Sequence, residues 1–449
     1  MHVDFLLERF AAHADADAVI WRGQSCSYRT LLERYRYWWS RLEEQHVRPG
    51  SVVSLAADFS PNAITLLLAL IERGCIVVPL TTAMAAQKPE FLETAEVEWC
   101  VQLDERDEAH WQRTGRQATH ALLRRLADPG HPGLVLFSSG STGRSKAAVH
   151  DLRGLLEKFK VPRAARRAIA FLLYDHIGGI NTLLYQLSNG GCVVTVPERS
   201  PSAVLHAIAA HRVDLLPTSP TFLRLILLSR AYEQYDLSSL KLVTYGTEPM
   251  PESTLREFHE RFPQVELLQT YGLSELGILR SKSRSSDSLW VRLGGEGFAT
   301  RIVNGLLEVK AQSAMLGYLN APSPFTEDGW FRTGDAVEVD GEWLRILGRR
   351  SEMINVGGEK VYPAEVESVI QEIPGVEDVV VVGEPNAITG NLVVARVKLA
   401  GGETVANFRP RLRAFCAARL PRFKIPQKVE LLAESSTGER FKRIRKANP

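Results

Sequence analysis

The fold class follows from residues 52–80, which read VVSLAADFSPNAITLLLALIERGCIVVPL. An apolar run at Val52–Leu55 precedes a helical stretch that Pro61 opens and that continues to Arg73. After one glycine, a second apolar run covers Cys75–Leu80. Proline is favoured at the first helical position, and short apolar runs are typical of buried strands. These residues therefore predict a strand–helix–strand unit.

The same alternation continues along the chain. Further strands are predicted at Leu134–Phe137, Cys192–Val196, Leu215–Leu216 and Leu242–Tyr245. Helices are predicted at Arg29–Leu42, Ser202–His211 and Pro251–Arg261. Repeated alternation of this kind indicates parallel sheets covered by helices, which is an α/β fold.

The pattern changes near residues 347–351, where a small α+β unit of about a hundred residues begins. Its predicted elements are helices at Tyr362–Ile373 and Val405–Leu420 and strands at Val379–Val382 and Leu392–Lys398. The predicted architecture is a large N-terminal domain of stacked α/β subdomains, residues 1–347. A small mobile α+β C-terminal domain, residues 348–449, follows it.

The composition excludes several classes of protein. A chain of 449 residues is too long for one core, because single cores stop growing at about 250–300 residues. No run reaches the roughly 18 apolar residues of a membrane span, and the start lacks the order of a secretion signal. The five cysteines are far apart, which favours reduced thiols in a cytoplasmic protein without a structural zinc site. Lys and Arg number 54 against 52 Asp and Glu, so nucleic acid is not the expected partner.

A loop rich in glycine and hydroxyl groups follows one of the predicted strands. Residues 137–146 read Phe-Ser-Ser-Gly-Ser-Thr-Gly-Arg-Ser-Lys. Glycines let backbone N–H groups close around an anion, hydroxyls donate to phosphate oxygens, and Lys146 supplies charge. The spacing does not fit the P-loop pattern, because Arg144 and Ser145 separate the second glycine from the lysine. The loop alone would suit either a phosphate site or a flexible surface turn.

Three further motifs follow this loop in order: Thr270-Tyr-Gly-Leu-Ser-Glu275, Trp330-Phe-Arg-Thr-Gly-Asp335 and residues 348–367. With residues 137–146 they resemble, in type and order, the core motifs of the adenylate-forming superfamily. That superfamily includes acyl- and aryl-CoA synthetases, adenylation domains of peptide synthetases and firefly luciferase. The resemblance covers nearly the whole chain and implies an enzyme that activates a carboxylate with ATP.

The resemblance implies a set of contacts to the β- and γ-phosphates of ATP. They are Ser138, Ser139, Ser141, Thr142 and Lys146. Where the family loop usually ends Pro-Lys-Gly, this sequence has Ser145-Lys146-Ala147.

The second motif implies the contacts to the rest of the nucleotide. Tyr271 is expected to pack on adenine, beside Gly272, and Ser274 to reach the α-phosphate. Glu275 is expected to bind Mg²⁺, a hard cation that prefers oxygen ligands and bridges phosphates. The segment Gly246, Thr247 and Glu248 resembles the part of the family that lines the other face of adenine and the acyl pocket.

The third and fourth motifs imply the ribose contacts and the hinge between the domains. Asp335 is expected to accept hydrogen bonds from the ribose hydroxyls, with Arg349 as a second contact. A turn-capping role would satisfy Asp335 equally well on local grounds. Ser351 stands where the family usually has an Asp or Lys hinge, and Asn355 where many relatives have Lys.

The catalytic lysine of the family lies near the C-terminus, usually within Gly-Lys-x-x-Arg. Alignment on Gly438 would place Glu439 at that position, whereas alignment on Lys-x-x-Arg selects Lys442. Lys442 is the favoured candidate, and Lys446 is a rival. The positive charge of this catalytic lysine would stabilise the negative charge that develops on oxygen as pyrophosphate leaves.

The acid that is activated is only partly indicated. His176 resembles the residue that gates the carboxylate pocket in the family, although a structural role is common for a lone histidine. Asp175 is adjacent, but the Phe-Asp-x-Ser surroundings of amino-acid-activating relatives are missing. A carboxylic acid without an α-amino group is therefore favoured.

The acceptor is indicated by Gly357 and Gly358, which resemble the CoA-ligase version of the fourth motif. Glycines there would let a pantetheine arm pass between the domains. The predicted function is an ATP-dependent carboxylic acid:thiol ligase that forms acyl-AMP and then a CoA thioester. Two alternatives stay open: an adenylation enzyme that loads a phosphopantetheine carrier protein, and a non-catalytic homologue that binds nucleotide or acyl ligands.

Overall fold

The structure is a computed structural model that describes residues 2–81, 84–139 and 145–432. The helices, in chain order, are α1 Asp4–Ala12, α2 Tyr28–Glu44, α3 Pro61–Glu72, α4 Lys88–Thr94, α5 Ala121–Ala127, α6 Leu152–Leu156, α7 Ile177–Ser188, α8 Pro201–His211, α9 Pro220–Ser229, α10 Glu252–Arg261, α11 Pro363–Gln371 and α12 Val405–Ala417.

The strands, in chain order, are β1 Asp17–Trp21, β2 Gln24–Ser27, β3 Val52–Ala56, β4 Ile76–Leu80, β5 Trp99–Leu103, β6 Ala109–Arg113, β7 Gly133–Ser139, β8 Ser145–Asp151, β9 Arg167–Ile169, β10 Cys192–Val194, β11 Leu215–Thr218, β12 Leu242–Tyr245, β13 Glu266–Gln269, β14 Gly272–Leu273, β15 Gly277–Ile278, β16 Arg280–Ser283, β17 Trp290–Gly294, β18 Phe298–Val303, β19 Leu306–Ala311, β20 Gly317–Tyr318, β21 Phe331–Asp340, β22 Trp343–Arg349, β23 Ile354–Val356, β24 Glu359–Val361, β25 Val376–Asn386, β26 Gly390–Leu399 and β27 Lys428–Leu431.

The predicted strand–helix–strand unit is confirmed as β3, α3 and β4. The two strands are parallel, with Val52 opposite Ile76. The Ser60 hydroxyl accepts from the Ala63 backbone N–H and caps α3, while Pro61 occupies the first turn. Helix α3 is buried at Pro61 and from Ala63 to Ile71, and almost all of these residues are apolar, as expected for a helix enclosed on all sides.

Two sheets form the body of the large domain; sheet 1 is parallel except at β2, and sheet 2 is mixed with a parallel centre. Sheet 1 has the order β13-β12-β11-β9-β10-β1-β2, and sheet 2 has the order β20-β8-β7-β4-β3-β5-β6. One apolar cluster contains residues of both sheets together with residues of α2, α3 and α7. These helices therefore lie between the sheets, and the prediction of stacked α/β subdomains is confirmed.

A third sheet is antiparallel and was not predicted from the sequence. Sheet 3 has the order β16-β17-β22-β21-β19-β18, and its strand pairs are antiparallel. Some of its strands alternate exposed and partly buried residues, as Arg280–Ser283 does, so they lack the continuous apolar runs that mark buried parallel strands. This sheet carries the third predicted motif on β21.

The small domain is an α+β unit, as predicted. Its sheet has the order β24-β23-β26-β25, and β27 pairs with β26 in parallel. Helices α11 and α12 pack on this sheet and share one apolar cluster with it. Strand β22 of the large domain continues to Arg349, so the predicted division after residue 347 falls within that strand. Among the described residues, no helix is both long and apolar enough to cross a bilayer.

Candidate active site

The carboxyl ends of β12 and β13 bring two of the predicted segments together. Tyr245 stands opposite Gln269 in the parallel register, and the Thr270 N–H donates to the Tyr245 carbonyl at 2.7 Å. A Cβ added at Gly246 would lie 2.7 Å from the Thr270 carbonyl oxygen, so only glycine allows this approach. Thr247 has a φ of +73°, which is rare for a β-branched residue and typical of functional sites. Ligands bind at this edge in open α/β sheets.

Tyr271, Asp335 and Arg349 form one group, in which Tyr271 and Asp335 are buried and Arg349 is partly exposed. The Tyr271 hydroxyl donates to Asp335 Oδ2 at 2.5 Å, and Arg349 Nε lies 2.8 Å from Asp335 Oδ1. Arg349 also donates to the Thr333 carbonyl at 2.7 Å. Asp335 and Arg349 are directly paired across β21 and β22, which explains their contact. The antiparallel sheet therefore places Asp335 and Arg349, the predicted ribose contacts, beside Tyr271, the predicted adenine contact.

Burial and charge both act on this group. Burial raises the pKa of Tyr271 well above its usual range, and the neighbouring Asp335 carboxylate adds to the effect. Burial alone would lower the pKa of Arg349, but Asp335, Tyr271 and Glu275 outweigh it and raise that pKa. A carboxylate such as that of Asp335 is an acceptor-only group, which is the kind of partner that ribose hydroxyls need.

Glu275 lies in the turn between β14 and β15. Its Oε1 accepts from the Tyr318 hydroxyl at 2.7 Å, and the Lys146 ammonium lies 5.4 Å from the centroid of the Tyr318 ring. The Ser274 carbonyl lies 2.5 Å from His150 Nε2, which must be the donor because a carbonyl only accepts. Glu275 is one of the carboxylates that raise the pKa of Arg349, so its charge acts on the first group.

The predicted phosphate loop connects two antiparallel strands, β7 and β8. Ser138 stands opposite Lys146, and Ser139 stands opposite Ser145. The Asn320 side chain accepts from the Ala147 N–H at 3.0 Å and donates to the Ser145 carbonyl at 2.9 Å, which fixes the start of β8. Predicted residues Ser141 and Thr142 lie outside the described residues, and so do Lys442 and its rival Lys446.

Glu248 and His176 both act as helix caps. The Glu248 carboxylate accepts from the backbone N–H of Thr221 at 2.9 Å and from the Thr221 hydroxyl, at the start of α9. His176 Nδ1 accepts from the Gly178 N–H at 3.0 Å, at the start of α7. The neighbouring Asp175 is buried and accepts from the Thr81 hydroxyl at 3.2 Å. Capping is compatible with a position at the acyl pocket, and that role of His176 and Glu248 stays a prediction.

Gly272 and the pair Gly357 and Gly358 occupy different environments. A Cβ at Gly272 would meet Ile278 at 2.4 Å, so this glycine allows β14 to pack on β15. Gly357 and Gly358 form the turn between β23 and β24, with φ values of +61° and +93°. A Cβ at either position would find no described atom within 4 Å. These two glycines are therefore exposed and separate from the Tyr271 and Glu275 groups in this structure.

The two domains meet through α10 and α11. The Ser253 N–H donates to the Ser368 hydroxyl at 3.3 Å, and Arg256 forms an ion pair with Glu372 at 2.9 Å. The contact between these helices is thus largely polar, and such interfaces are typical of domains that move relative to one another.

Three residues of the site were missed by the sequence analysis: His150, Tyr318 and Asn320. Gly317-Tyr318 precedes Asn320 and Pro322, a combination that predicts a turn but no contact. The placement of Tyr318 and Asn320 depends on β20, which pairs with β8 across more than 160 residues of sequence. This pairing brings the Tyr318 side chain to Glu275 and Lys146.

Family models match most of the chain. The model described as AMP-binding enzyme matches residues 6–300, and the model described as AMP-binding enzyme C-terminal domain matches residues 365–439.

Curated relatives extend over the same range. The chain is 30% identical to the indoleacetate–CoA ligase of Aromatoleum aromaticum, in an alignment that covers 90% of this chain and 88% of that protein. It is 28% identical to a feruloyl-CoA synthase of an Amycolatopsis species, covering 94% of this chain and 92% of that one.

Solved structures share the fold. The anthranilate CoA ligase AuaEII, solved with anthranoyl-AMP, has a TM-score of 0.81 at 20% identity and covers 98% of this chain and 95% of its own. The o-succinylbenzoate CoA synthetase of Bacillus subtilis has a TM-score of 0.76 at 21% identity, covering 98% and 96%. The resemblance drawn from four motifs is therefore confirmed, and the chain belongs to the AMP-binding enzyme family of adenylate-forming enzymes.

Proposed function

We propose that the protein is an ATP-dependent ligase that activates a carboxylic acid as acyl-AMP and transfers the acyl group to CoA. One observation carries the proposal: Asp335 contacts both Tyr271 and Arg349, which joins the predicted adenine contact to the two predicted ribose contacts. The enzyme class, an AMP-forming acid–thiol ligase, agrees with the family and with the CoA-ligase names of the relatives.

In the first half-reaction, ATP would lie along the carboxyl edge of sheet 1. Tyr271 would contact adenine, and Asp335 would accept from the ribose hydroxyls while Arg349 holds its carboxylate in place. Lys146 would neutralise phosphate charge. A carboxylate oxygen of the acid attacks the α-phosphorus, the bond to the bridging oxygen breaks, and pyrophosphate leaves with the electron pair. Lys442 is proposed to stabilise the developing oxygen charge.

The residues around Glu275 fit a magnesium ion bound mainly through phosphates. Among the described residues, no group of three or more His, Cys, Asp or Glu could form a protein-only metal site. Glu275 is a single half-buried carboxylate with Oε1 oriented by Tyr318, and Mg²⁺ commonly takes one or two carboxylates and completes its shell with phosphate and water. When bound, Mg²⁺ would offset the charge of the phosphate oxygens.

In the second half-reaction, a thiol sulfur attacks the acyl carbon and AMP leaves with the electron pair of the broken bond. We place the rotation that separates the half-reactions at Ser351, just after β22 ends. It would bring Gly357 and Gly358 to the site, where their missing side chains leave room for a pantetheine arm. A phosphopantetheine carrier protein would present the same thiol and is the alternative acceptor.

The relatives suggest which acids to test first. Two of the curated relatives are named for indoleacetate and ferulate, both aromatic carboxylic acids without an α-amino group. His176 and Asp175, at the start of α7, are proposed to lie at the mouth of the acyl pocket. An aromatic acid is therefore the proposed substrate class, and long-chain acids come second because a fatty-acid ligase is also similar.

Carboxylate-dependent exchange of pyrophosphate into ATP tests the first half-reaction. A panel of aryl, arylalkyl, long-chain and amino acids is expected to give the highest rate with one aromatic acid. Lys442→Ala is expected to abolish exchange, and Lys446→Ala is the matched control. Absence of exchange with every acid, in protein that binds ATP, would favour the non-catalytic homologue. Thioester formation with free CoA, compared with a holo carrier protein, then identifies the acceptor.

A further inference from the structure

Tyr318 connects residues from two different motifs. Its hydroxyl donates to Glu275 Oε1 at 2.7 Å, and the face of its ring lies 5.4 Å from the Lys146 ammonium. Strand β20 pairs with β8, and Tyr318 stands opposite Ala148, two residues after Lys146. One buried aromatic side chain therefore contacts both the proposed metal carboxylate and the proposed phosphate lysine.

The main chain around Glu275 is held by other contacts. The Met315 N–H donates to the Glu275 carbonyl at 2.7 Å, and His150 donates to the Ser274 carbonyl at 2.5 Å. The Ser313 hydroxyl donates to the Leu276 carbonyl at 2.6 Å. The backbone of the turn is thus fixed to β8 and to residues 313–315 without Tyr318. What Tyr318 adds is the orientation of the Glu275 side chain.

The two contacts of Tyr318 have separate physical origins. A hydrogen bond to a carboxylate is charge-assisted and about twice as strong as a neutral one. Attraction of an ammonium to an aromatic face depends on the ring and does not need the hydroxyl. The tyrosine ring has few rotatable bonds, so it holds both partners with little loss of side-chain entropy. Replacing Tyr by Phe removes the first contact and leaves the second.

We infer that Tyr318 is a positioning residue for the magnesium–ATP complex, setting the Glu275 carboxylate and the Lys146 ammonium at a fixed spacing. The inference rests on the proposed function, because it takes Glu275 as the metal ligand and Lys146 as a phosphate contact. Tyr318 itself touches neither reacting atom in this reading. Its effect is transmitted through the two residues that it holds.

Calorimetric binding of ATP tests the inference without any carboxylic acid and hence without turnover. Titrations with magnesium and with EDTA separate metal-dependent from metal-independent affinity. Tyr318→Phe is expected to weaken binding about 10-fold in magnesium and less than twofold in EDTA, since a hydrogen bond to a charged group is lost. Tyr318→Leu is expected to weaken binding in both solutions, because Lys146 also loses the ring. Equal affinity of Tyr318→Phe and wild type in magnesium would overturn the inference.

Tyr28→Phe is the matched control. The Tyr28 hydroxyl is fully buried and donates to the Gly191 carbonyl at 2.6 Å, within sheet 1 packing and away from Glu275. Its removal costs stability but is expected to change ATP affinity less than twofold in either solution. An equal loss of magnesium-dependent affinity in Tyr28→Phe would mean that a general loss of fold stability explains the Tyr318 result, and the inference would fail.

Glu275→Gln gives a second check, both alone and combined with Tyr318→Phe. Because Tyr318 acts through Glu275, the double variant with Tyr318→Phe is expected to bind magnesium–ATP within twofold of Glu275→Gln alone. If the fold losses of affinity in the two single variants instead multiply in the double variant, Tyr318 and Glu275 act independently and the inference is refuted. If Glu275→Gln alone leaves magnesium-dependent affinity unchanged, the metal role of Glu275 is wrong and the inference falls with it. Wild-type protein that binds no ATP in either solution would instead refute the proposed function.

Discussion

Asp335→Asn is the substitution with the sharpest expected consequence. Asp335 is 6% exposed and accepts from the Tyr271 hydroxyl at 2.5 Å and from Arg349 at 2.8 Å. The amide keeps the shape of the side chain but has no charge, and its NH₂ group faces one donor instead of accepting from it. The substitution therefore tests the charge of the carboxylate separately from the packing of the side chain.

The loss of stability should be small, because Arg349 can be rehydrated. Its side chain is 43% exposed, so water replaces much of the ion pair. The Tyr271 hydroxyl is buried and depends on the remaining amide oxygen. Each hydrogen bond to a charged group contributes about 1.5–3 kcal/mol, so after this discount we expect about 1–2 kcal/mol of lost stability. Urea unfolding followed by tryptophan fluorescence measures it.

The loss of ATP affinity should be larger. A ribose hydroxyl that donates to a carboxylate loses about 1.5–3 kcal/mol when the acceptor becomes a neutral amide, which corresponds to about 10–100-fold. The KM for ATP in pyrophosphate exchange is the readout. Asp340→Asn is the control, since Asp340 lies on the same strand, is 60% exposed and pairs with Arg284. An ATP KM for Asp335→Asn within twofold of wild type, with Asp340→Asn also unchanged, would refute the ribose assignment.

Three further predictions concern other parts of the molecule. Burial lowers the pKa of Lys158 to about 8, with Arg163 and Arg280 adding to the effect. In the unfolded chain the same group keeps its proton up to about pH 10.4, so the free energy of unfolding of the wild type should rise by roughly 1–3 kcal/mol between pH 8 and 10.4, relative to Lys158→Met. If urea unfolding gives the same pH dependence of stability for the two proteins, this prediction is wrong. Gly358→Ala should leave pyrophosphate exchange nearly unchanged but slow thioester formation more than 10-fold if a pantetheine arm passes over this glycine. Equal slowing of both half-reactions would argue against a pantetheine path at Gly358. Arg256→Ala removes an exposed ion pair between the domains. It should change the ratio of the rates of thioester formation and pyrophosphate exchange by up to about fivefold, which is the limit for a pair worth about 1 kcal/mol. Stopped-flow measurement of each half-reaction would show no change in this ratio if the interface plays no part in the rotation between the domains.

Much of the fold was predictable because buried parallel strands carry their own signal. The run at Val52–Leu55, the proline at the start of α3 and the apolar run after Gly74 were sufficient for one complete unit. Sheet 3 gave no comparable signal, since its strands are partly exposed and antiparallel. Its pairing of Asp335 with Arg349 could not be derived from periodicity.

The candidate site was predictable to the extent that its residues sit in motifs with a recognisable order. Tyr271, Glu275, Asp335 and Arg349 were named from the sequence, and their assigned roles are still predictions. Tyr318 was not named, because its partner Glu275 is 43 residues away and no local pattern links them. Glu248 and His176 were named for ligand roles, and the structure adds a capping function that sequence spacing did not suggest.

The sequence by itself determined the family, the two-domain α/β architecture and the residue types available for binding a nucleotide. These depend on local properties: apolar periodicity, turn chemistry and the order of short motifs. The tertiary structure alone decided which of those residues touch, and with what charge and exposure. The Tyr271–Asp335 contact joins residues 64 positions apart, and the Lys146–Tyr318 contact depends on an edge strand added to sheet 2. Contacts of this kind come from packing whole sheets together, and no short window of sequence contains them.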